Sequence, residues 1–259
     1  MQPQKNVLVY FLRQIKLKAM KYLSILLILS TIFLTNSCEF LYPCLEGNGV
    51  LTTQERSVTG FSSISSSSSF DVVVQKSSST YISVEADENL QQYILTYVQD
   101  GELFLETEKG RCLDSKSRIL VTVYCPDITS FVLSGSGDAQ MFDFSTSNFN
   151  LVLSGSGDID ISNFTISNNL GVNLTGSGDI FVEGTTGSTD FNLSGSGDIK
   201  GDMMKSLISD IVLSGSGDIY TYASERLKVI LSGSGDVYYY GNPATVDKRI
   251  TGSGDVIKR

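Results

Sequence analysis

The chain has 259 residues, 41% hydrophobic and 10% aromatic, which supplies a folded core and argues against wholesale disorder. It contains no histidine, so Ser–His–Asp and Cys–His catalysis within one chain are excluded, and the commonest nitrogen ligand for metals is missing. Beyond residue 37 there are 14 basic and 28 acidic residues, a net charge of −14; such a surface repels nucleic-acid phosphates, and no nucleic-acid partner is expected.

The first 37 residues carry Lys5, Arg13, Lys16, Lys18 and Lys21 and no acid. They include a 13-residue apolar run, "YLSILLILSTIFL", at 22–34, and then "TNSC" ending at Cys38. A basic flank, a short apolar core and a small residue before a break describe a secretory signal over 1–37. The core is shorter than the roughly 20 residues a membrane-spanning helix needs. With Leu34 four residues before Cys38, the segment resembles a bacterial lipoprotein signal. That resemblance implies lipid attachment at Cys38, a tether over 38–47 and a membrane partner reached through the anchor. Thr35 and Asn36 depart from the aliphatic residues of a strict lipobox. Met20 in "MKYL" reads as the natural start.

An exported chain meets an oxidising compartment, so a disulfide among Cys44, Cys112 and Cys125 is expected. Three pairings are open. Cys44–Cys112 is preferred because Cys125, in "RILVTVYC", reads as a buried strand residue.

Residues 48–130 form an irregular β region. "FDVVVQ", "YISVEA", "YILTYV", "ELFLET" and "RILVTVY" are short, β-branched and aromatic, as strands are. Asp100–Gly101 between two of them is a hairpin signal, and "ADENLQQY" reads as the one helical turn. By composition the 62–69 serine run looks like a linker. Its alignment with the repeats downstream suggests a degenerate first copy instead, with Asp71 at the motif aspartate.

Residues 131–259 repeat the phrase "LSGSGDI". Its aspartates are Asp138, Asp158, Asp179, Asp198, Asp218, Asp236 and Asp255, spaced by 20, 21, 19, 20, 18 and 19 residues. A period near 20 signals a solenoid or similar array. Apolar residues stand five before each aspartate and one after, and seven before all but the last, where Lys248 breaks the column; Ile211, Leu213 and Ile219 around Asp218 are an example. All these offsets are odd, so one side of an extended chain is apolar. Each copy then makes one coil, and stacking supplies the core that no coil has alone.

On this parity both glycines point inward, as suits a place where opposing walls come close or the chain bends sharply, and the two hydroxyls and the carboxylate point outward. The structural reading makes the motif a bend in which the aspartate caps N–H groups as in an Asx-turn. The alternative is a row of carboxylates about 4.8 Å apart bridged by calcium. One carboxylate and two hydroxyls per coil are few for an ion that takes six to eight oxygens, so no metal or cofactor is expected. Two and four positions after the aspartate, Tyr220, Tyr222, Tyr238 and Tyr240 should share one outer face. They read either as a ligand patch or as packing beneath a C-terminal cap.

"GNGVLTTQERSVTGFSSI", "VEADENLQQYI", "LVTVYCPDI" and the serial "LSGSGDI" together resemble a bacterial family. It is known as the putative autotransporter adhesin head GIN domain, or domain of unknown function 2807. The resemblance spans about residues 47–259 and implies a right-handed parallel β-solenoid with no assigned catalytic residues. The repeats are not followed by a run of strands long enough for a membrane barrel, and the lipid at Cys38 would take the anchoring role.

The expected fold is therefore all-β, a right-handed parallel β-solenoid with coils of about 20 residues preceded by the irregular region. The expected function is a non-catalytic lipoprotein of the bacterial cell envelope, in the outer membrane, presenting a lateral surface to a glycan or cell-surface protein. The alternatives are a polysaccharide-acting enzyme using paired carboxylates such as Asp158 and Asp160, and a purely structural envelope component.

Overall fold

Successive copies of the motif lie directly on one another. In the computed structural model, which describes residues 43–259, Phe131, Leu151, Val172, Phe191, Ile211 and Val229 stand in parallel register, and Leu133, Leu153, Leu174, Leu193, Leu213 and Leu231 do likewise. Across the bend a second wall stacks Ala139, Ile159, Ile180, Ile199, Ile219, Val237 and Val256. The result is a β-solenoid whose two walls share a core of those columns, almost all of it fully buried. The signal, Met20, Cys38 and the tether up to residue 42 lie outside the described residues.

The middle coils carry a third strand segment. Ile159–Leu174 and Ile180–Leu193 run from one wall through a corner to the other, with the register slipping between Ile161 and Phe164 and again between Ile166 and Asn169. Phenylalanines fill these corners: Phe164 packs at 5.5 Å on Phe144 and edge-on at 5.2 Å on Phe149. The coil that follows Asp218 makes this turn with the short link Ala223–Ser224–Glu225, which accounts for its 18-residue spacing.

The apolar column three residues past the aspartate ends at Val182, and the structure shows what replaces it. Gly201 leaves room for the Phe191 ring, only 2.6 Å from where a Cβ would stand. Thr221 joins a buried hydroxyl chain in which Thr189 Oγ1 donates to Ser209 Oγ at 2.9 Å and Ser209 lies 2.8 Å from Thr221. Thr189, Ser209 and Thr221 thus satisfy one another, so this polar column carries little desolvation cost.

The N-terminal region continues the same sheet. Strand Ser63–Ser66 pairs with Ser130–Leu133, and Asp71–Lys76 lies beside Ala139–Phe142, so the serine run is a degenerate first coil rather than a linker. Beyond it, Glu102–Thr107 and Leu120–Cys125 add one more parallel layer. Antiparallel partners then close this end: Ile94–Gln99 on the first, and Tyr81–Asp87 with Leu51–Arg56 on the second. Asp100 and Gly101 both take left-handed φ (52° and 80°), the geometry of a two-residue hairpin turn. The helical turn of "ADENLQQY" is a 3-10 turn at Gln91–Tyr93, where the Gln91 amide donates to the Thr52 and Val84 carbonyls.

Cys44 and Cys112 form the disulfide, and Cys125 is free and buried, its thiol pushed up to about 12 by burial and by Asp127. The bridge clasps Leu45–Glu46 to Leu113–Asp114. Asp87 locks the clasp: its carboxylate accepts from the Ser115 and Ser117 hydroxyls and from the Lys116 and Ser117 N–H groups. A Cβ on Gly47 would lie 1.9 Å from that carboxylate. Burial alone would raise the Asp87 carboxyl, but the four donors hold it below its ordinary value of 3.8. The stability it confers is therefore present above that ordinary value and lost as pH falls through the lower folded one. Asp87→Asn should lower the melting temperature at neutral pH, because a neutral amide oxygen accepts the Ser115, Lys116 and Ser117 donors more weakly than a carboxylate does, and should flatten the acid limb of the melting curve. Parallel pH profiles for the two proteins would remove Asp87 from the acid sensitivity.

Candidate functional site

The motif aspartates form an inter-coil ladder. Oδ1 of each accepts the backbone N–H of the aspartate one coil later, from Asp138 N–H on Asp71 to Asp255 N–H on Asp236, at 2.7–3.0 Å throughout. The next residue's N–H in turn donates to the following coil's aspartate carbonyl, as from Ile199 to Asp218 at 2.9 Å. The carboxylate thus supplies an acceptor where the bend interrupts the strand ladder. The Asx-turn expectation is corrected in one respect: the capped N–H belongs to the neighbouring coil, not to the same bend.

The glycines have an equally specific cause. None of those in the motif has a left-handed φ. A Cβ at Gly215 would stand 2.1 Å from the Gly195 carbonyl oxygen, and one at Gly217 2.0 Å from that of Gly197. Glycine is present because consecutive coils touch backbone to backbone, not because opposing walls converge.

One oxygen of each carboxylate from Asp71 to Asp236 is thus on an N–H, and some of the second oxygens are taken as well. Oδ2 of Asp179 takes Lys200 Nζ at 2.6 Å and Oδ2 of Asp236 takes the Tyr238 hydroxyl at 3.1 Å. Burial pushes Asp179 up, but Lys200 and the Asp198 N–H outweigh it and hold the carboxyl low. Among the described residues there is no group of three His, Cys, Asp or Glu side chains placed to hold a metal ion. Asp158, considered for acid–base work with Asp160, is a ladder member, whereas Asp160 faces outward on the second wall.

The four tyrosines lie side by side on that wall, Tyr220 beside Tyr238 and Tyr222 beside Tyr240, each half-buried. Their ring faces are largely taken. Tyr220 and Tyr238 stack at 4.8 Å, Arg259 covers Tyr238, and Lys205 covers Tyr222. Burial and the nearby Asp218 and Asp198 carboxylates raise the Tyr220 phenol, and the bond to Asp236 raises that of Tyr238. Tyr239, which sequence parity sets inward, is partly buried and packs against the core, as does Val256 one coil later.

Next to this tyrosine column runs a groove of about 540 Å³. Asp160, Phe181, Lys200 and Tyr220 form one bank and Glu183, Asp202, Met203 and Tyr240 the other, with Ile161 and Val182 between. These residues come from five successive coils, so at about 4.8 Å per coil the groove follows the solenoid axis for about 19 Å. It exists because strand Ile199–Gly201 is only three residues long and the chain then turns at Asp202–Met203, leaving Met203 54% exposed and Phe181 39% exposed. Sequence reasoning missed Phe181, Asp202 and Met203. Phe181 was legible as the residue two past Asp179, in the column that holds Tyr220 and Tyr238. The turn was not. A second groove, of about 470 Å³ around Asn148 and Asn169, is lined mainly by amides and hydroxyls.

Residues 60–243 match the model of the family described as putative auto-transporter adhesin, head GIN domain. The chain belongs to that family. Solved structures share the fold of this GIN domain. An adhesin, so described as putative, from Bacteroides fragilis is 23% identical and superposes with a TM-score of 0.80 over 83% of this chain and all of its own. A Parabacteroides distasonis protein, described as a putative lipid binding protein, is 26% identical, with a TM-score of 0.69 over 84% of this chain and all of its own. A putative adhesin from the same organism is 21% identical, with a TM-score of 0.69 and the same coverage. No curated protein matches the chain.

Proposed function

We propose that the chain is a non-catalytic adhesion module of the bacterial cell envelope, held by lipid at Cys38 in the outer membrane, which engages a cell-surface partner through the groove on its second wall. The observation that carries this reading is the groove itself. It exposes Phe181 and Met203 on a stiff, side-chain-filled scaffold, and exposed apolar clusters rimmed by polar groups are characteristic of binding surfaces. Family membership supports an adhesive rather than an enzymatic role. So does the commitment of the repeated aspartates to backbone N–H groups, which leaves no distinct carboxylate pair among them for acid–base work.

Displayed on a non-adherent bacterial host, the chain is expected to confer attachment between cells or to a substratum. A Phe181→Ser, Met203→Ser double variant should lose that attachment while still melting as a folded protein, since both side chains lie at the surface outside the buried core. Cys38→Ala should release the protein from the membrane fraction and abolish incorporation of labelled fatty acid. Attachment unaffected by the double variant would sink the groove as the adhesive surface, and unchanged lipid labelling would sink the anchor.

A further inference from the structure

We infer that the groove takes an extended, lysine- or arginine-rich peptide segment of a partner protein; this rests on the adhesive reading above and names its ligand. Asp160, Glu183 and Asp202 line the groove and none of them is in an ion pair among the described residues. Its one cation, Lys200, is held by Asp179 at 2.6 Å, with Asp198 at 4.0 Å. Lys205 Nζ, on the Asp202 carbonyl at 3.0 Å, lies just outside the lining, which still keeps a net negative charge within a strongly acidic chain and so attracts cationic and repels anionic chains.

The apolar part of the lining suits the stems of the same side chains. Lysine and arginine lay their methylenes on apolar surface and keep the charged head outside it, so Phe181, Met203 and Tyr240 would carry stems while the carboxylates take heads. The wall also holds its own cations by their charged heads over ring faces, with Lys200 Nζ over Phe181 at 4.4 Å, Lys205 Nζ over Tyr222 at 4.2 Å and Arg259 over Tyr238 at 4.9 Å. Length points to an extended segment, because about 19 Å accommodates about five or six residues at strand rise.

A sugar polymer is the weaker fit. Sugars dock on open aromatic faces, and here Tyr220 and Tyr238 cover one another while Arg259 and Lys205 cover further ring faces.

The test uses the purified full chain in detergent and fluorescence anisotropy with three probes: a peptide alternating lysine and serine, its glutamate–serine counterpart, and a glucosamine oligomer. The basic peptide should bind, more weakly at high salt, and the acidic one should not. A Glu183→Gln, Asp202→Asn double variant should weaken the basic peptide by about tenfold, whereas Glu102→Gln, on the N-terminal hairpin, should leave it unchanged. No binding of the basic peptide, equal loss with Glu102→Gln, or tighter binding of the glucosamine oligomer would each overturn the assignment. Should the Phe181→Ser, Met203→Ser variant abolish cell attachment while the basic peptide fails to bind, the ligand class falls and the adhesive groove stands. Should attachment survive that variant, the groove falls as the adhesive surface and the ligand assigned to it falls with it.

Discussion

Gly215→Ala is expected to destabilise the solenoid by about 3 kcal/mol or more, at the upper end of what overpacking costs. The added methyl would lie 2.1 Å from the Gly195 carbonyl oxygen, against an ordinary contact of 3.4–4 Å. Neither atom belongs to a flexible side chain, so the two coils must part by more than an ångström. Parting them stretches the bonds that join them, from Ser214 N–H to the Leu193 carbonyl at 2.8 Å and from Ser216 N–H to the Gly195 carbonyl at 3.0 Å. Each coil touches only its neighbours, so the damage should be local. Hydrogen exchange should accelerate in the coils on either side of residue 215, while the disulfide-clasped N-terminal region keeps its protection. Ser216→Ala, one residue away but outward-facing, should change stability by less than about 0.5 kcal/mol. Equal effects of the two substitutions would show that backbone contact is not why the motif carries glycine.

Asp198→Ala should cost about 1–3 kcal/mol, because it strips the acceptor from the Asp218 N–H at 2.8 Å and leaves that donor in a half-buried bend. Asp198→Asn separates the two roles of the carboxylate. The amide oxygen still accepts the N–H, and the charge removed relieves repulsion within the row while giving up the 4.0 Å attraction to Lys200, so stability should stay close to that of the wild type. Thermal melts of the three proteins decide the matter. If the asparagine variant melts as low as the alanine variant, charge rather than acceptor geometry is what the ladder needs.

These two substitutions also mark how much was legible in advance. The alternation of apolar and polar residues inside a period near 20 specified the coil, its inward columns and the parallel stacking. Asp100–Gly101 specified a hairpin because both residues must take left-handed φ. The disulfide was open among three pairings, and the preference for Cys44–Cys112 came from reading Cys125 as a strand interior, as it is. The glycine and aspartate columns were visible, but their physical reasons were misplaced. A period-two argument says which way a residue points and nothing about how close the next coil comes.

The candidate site was legible only in part, and for the same reason. Outward parity brought Tyr220, Tyr222, Tyr238 and Tyr240 onto one face, as the register confirms. It could not say that two of these rings stack on each other, or that Lys205 and Arg259 lie over two of them, because such contacts join residues a full coil or more apart. Nor could it show the groove, which arises where one strand stops after three residues and its coil turns at Asp202–Met203. The sequence by itself determined the fold class, the coil length and the inner and outer faces, because these come from backbone alternation and from apolar side chains leaving water. The tertiary structure alone decided which atom each aspartate reaches, why glycine is required and where a ligand can lie. Those depend on the distance between coils, which the close approach of stacked backbones sets only once the chain has folded.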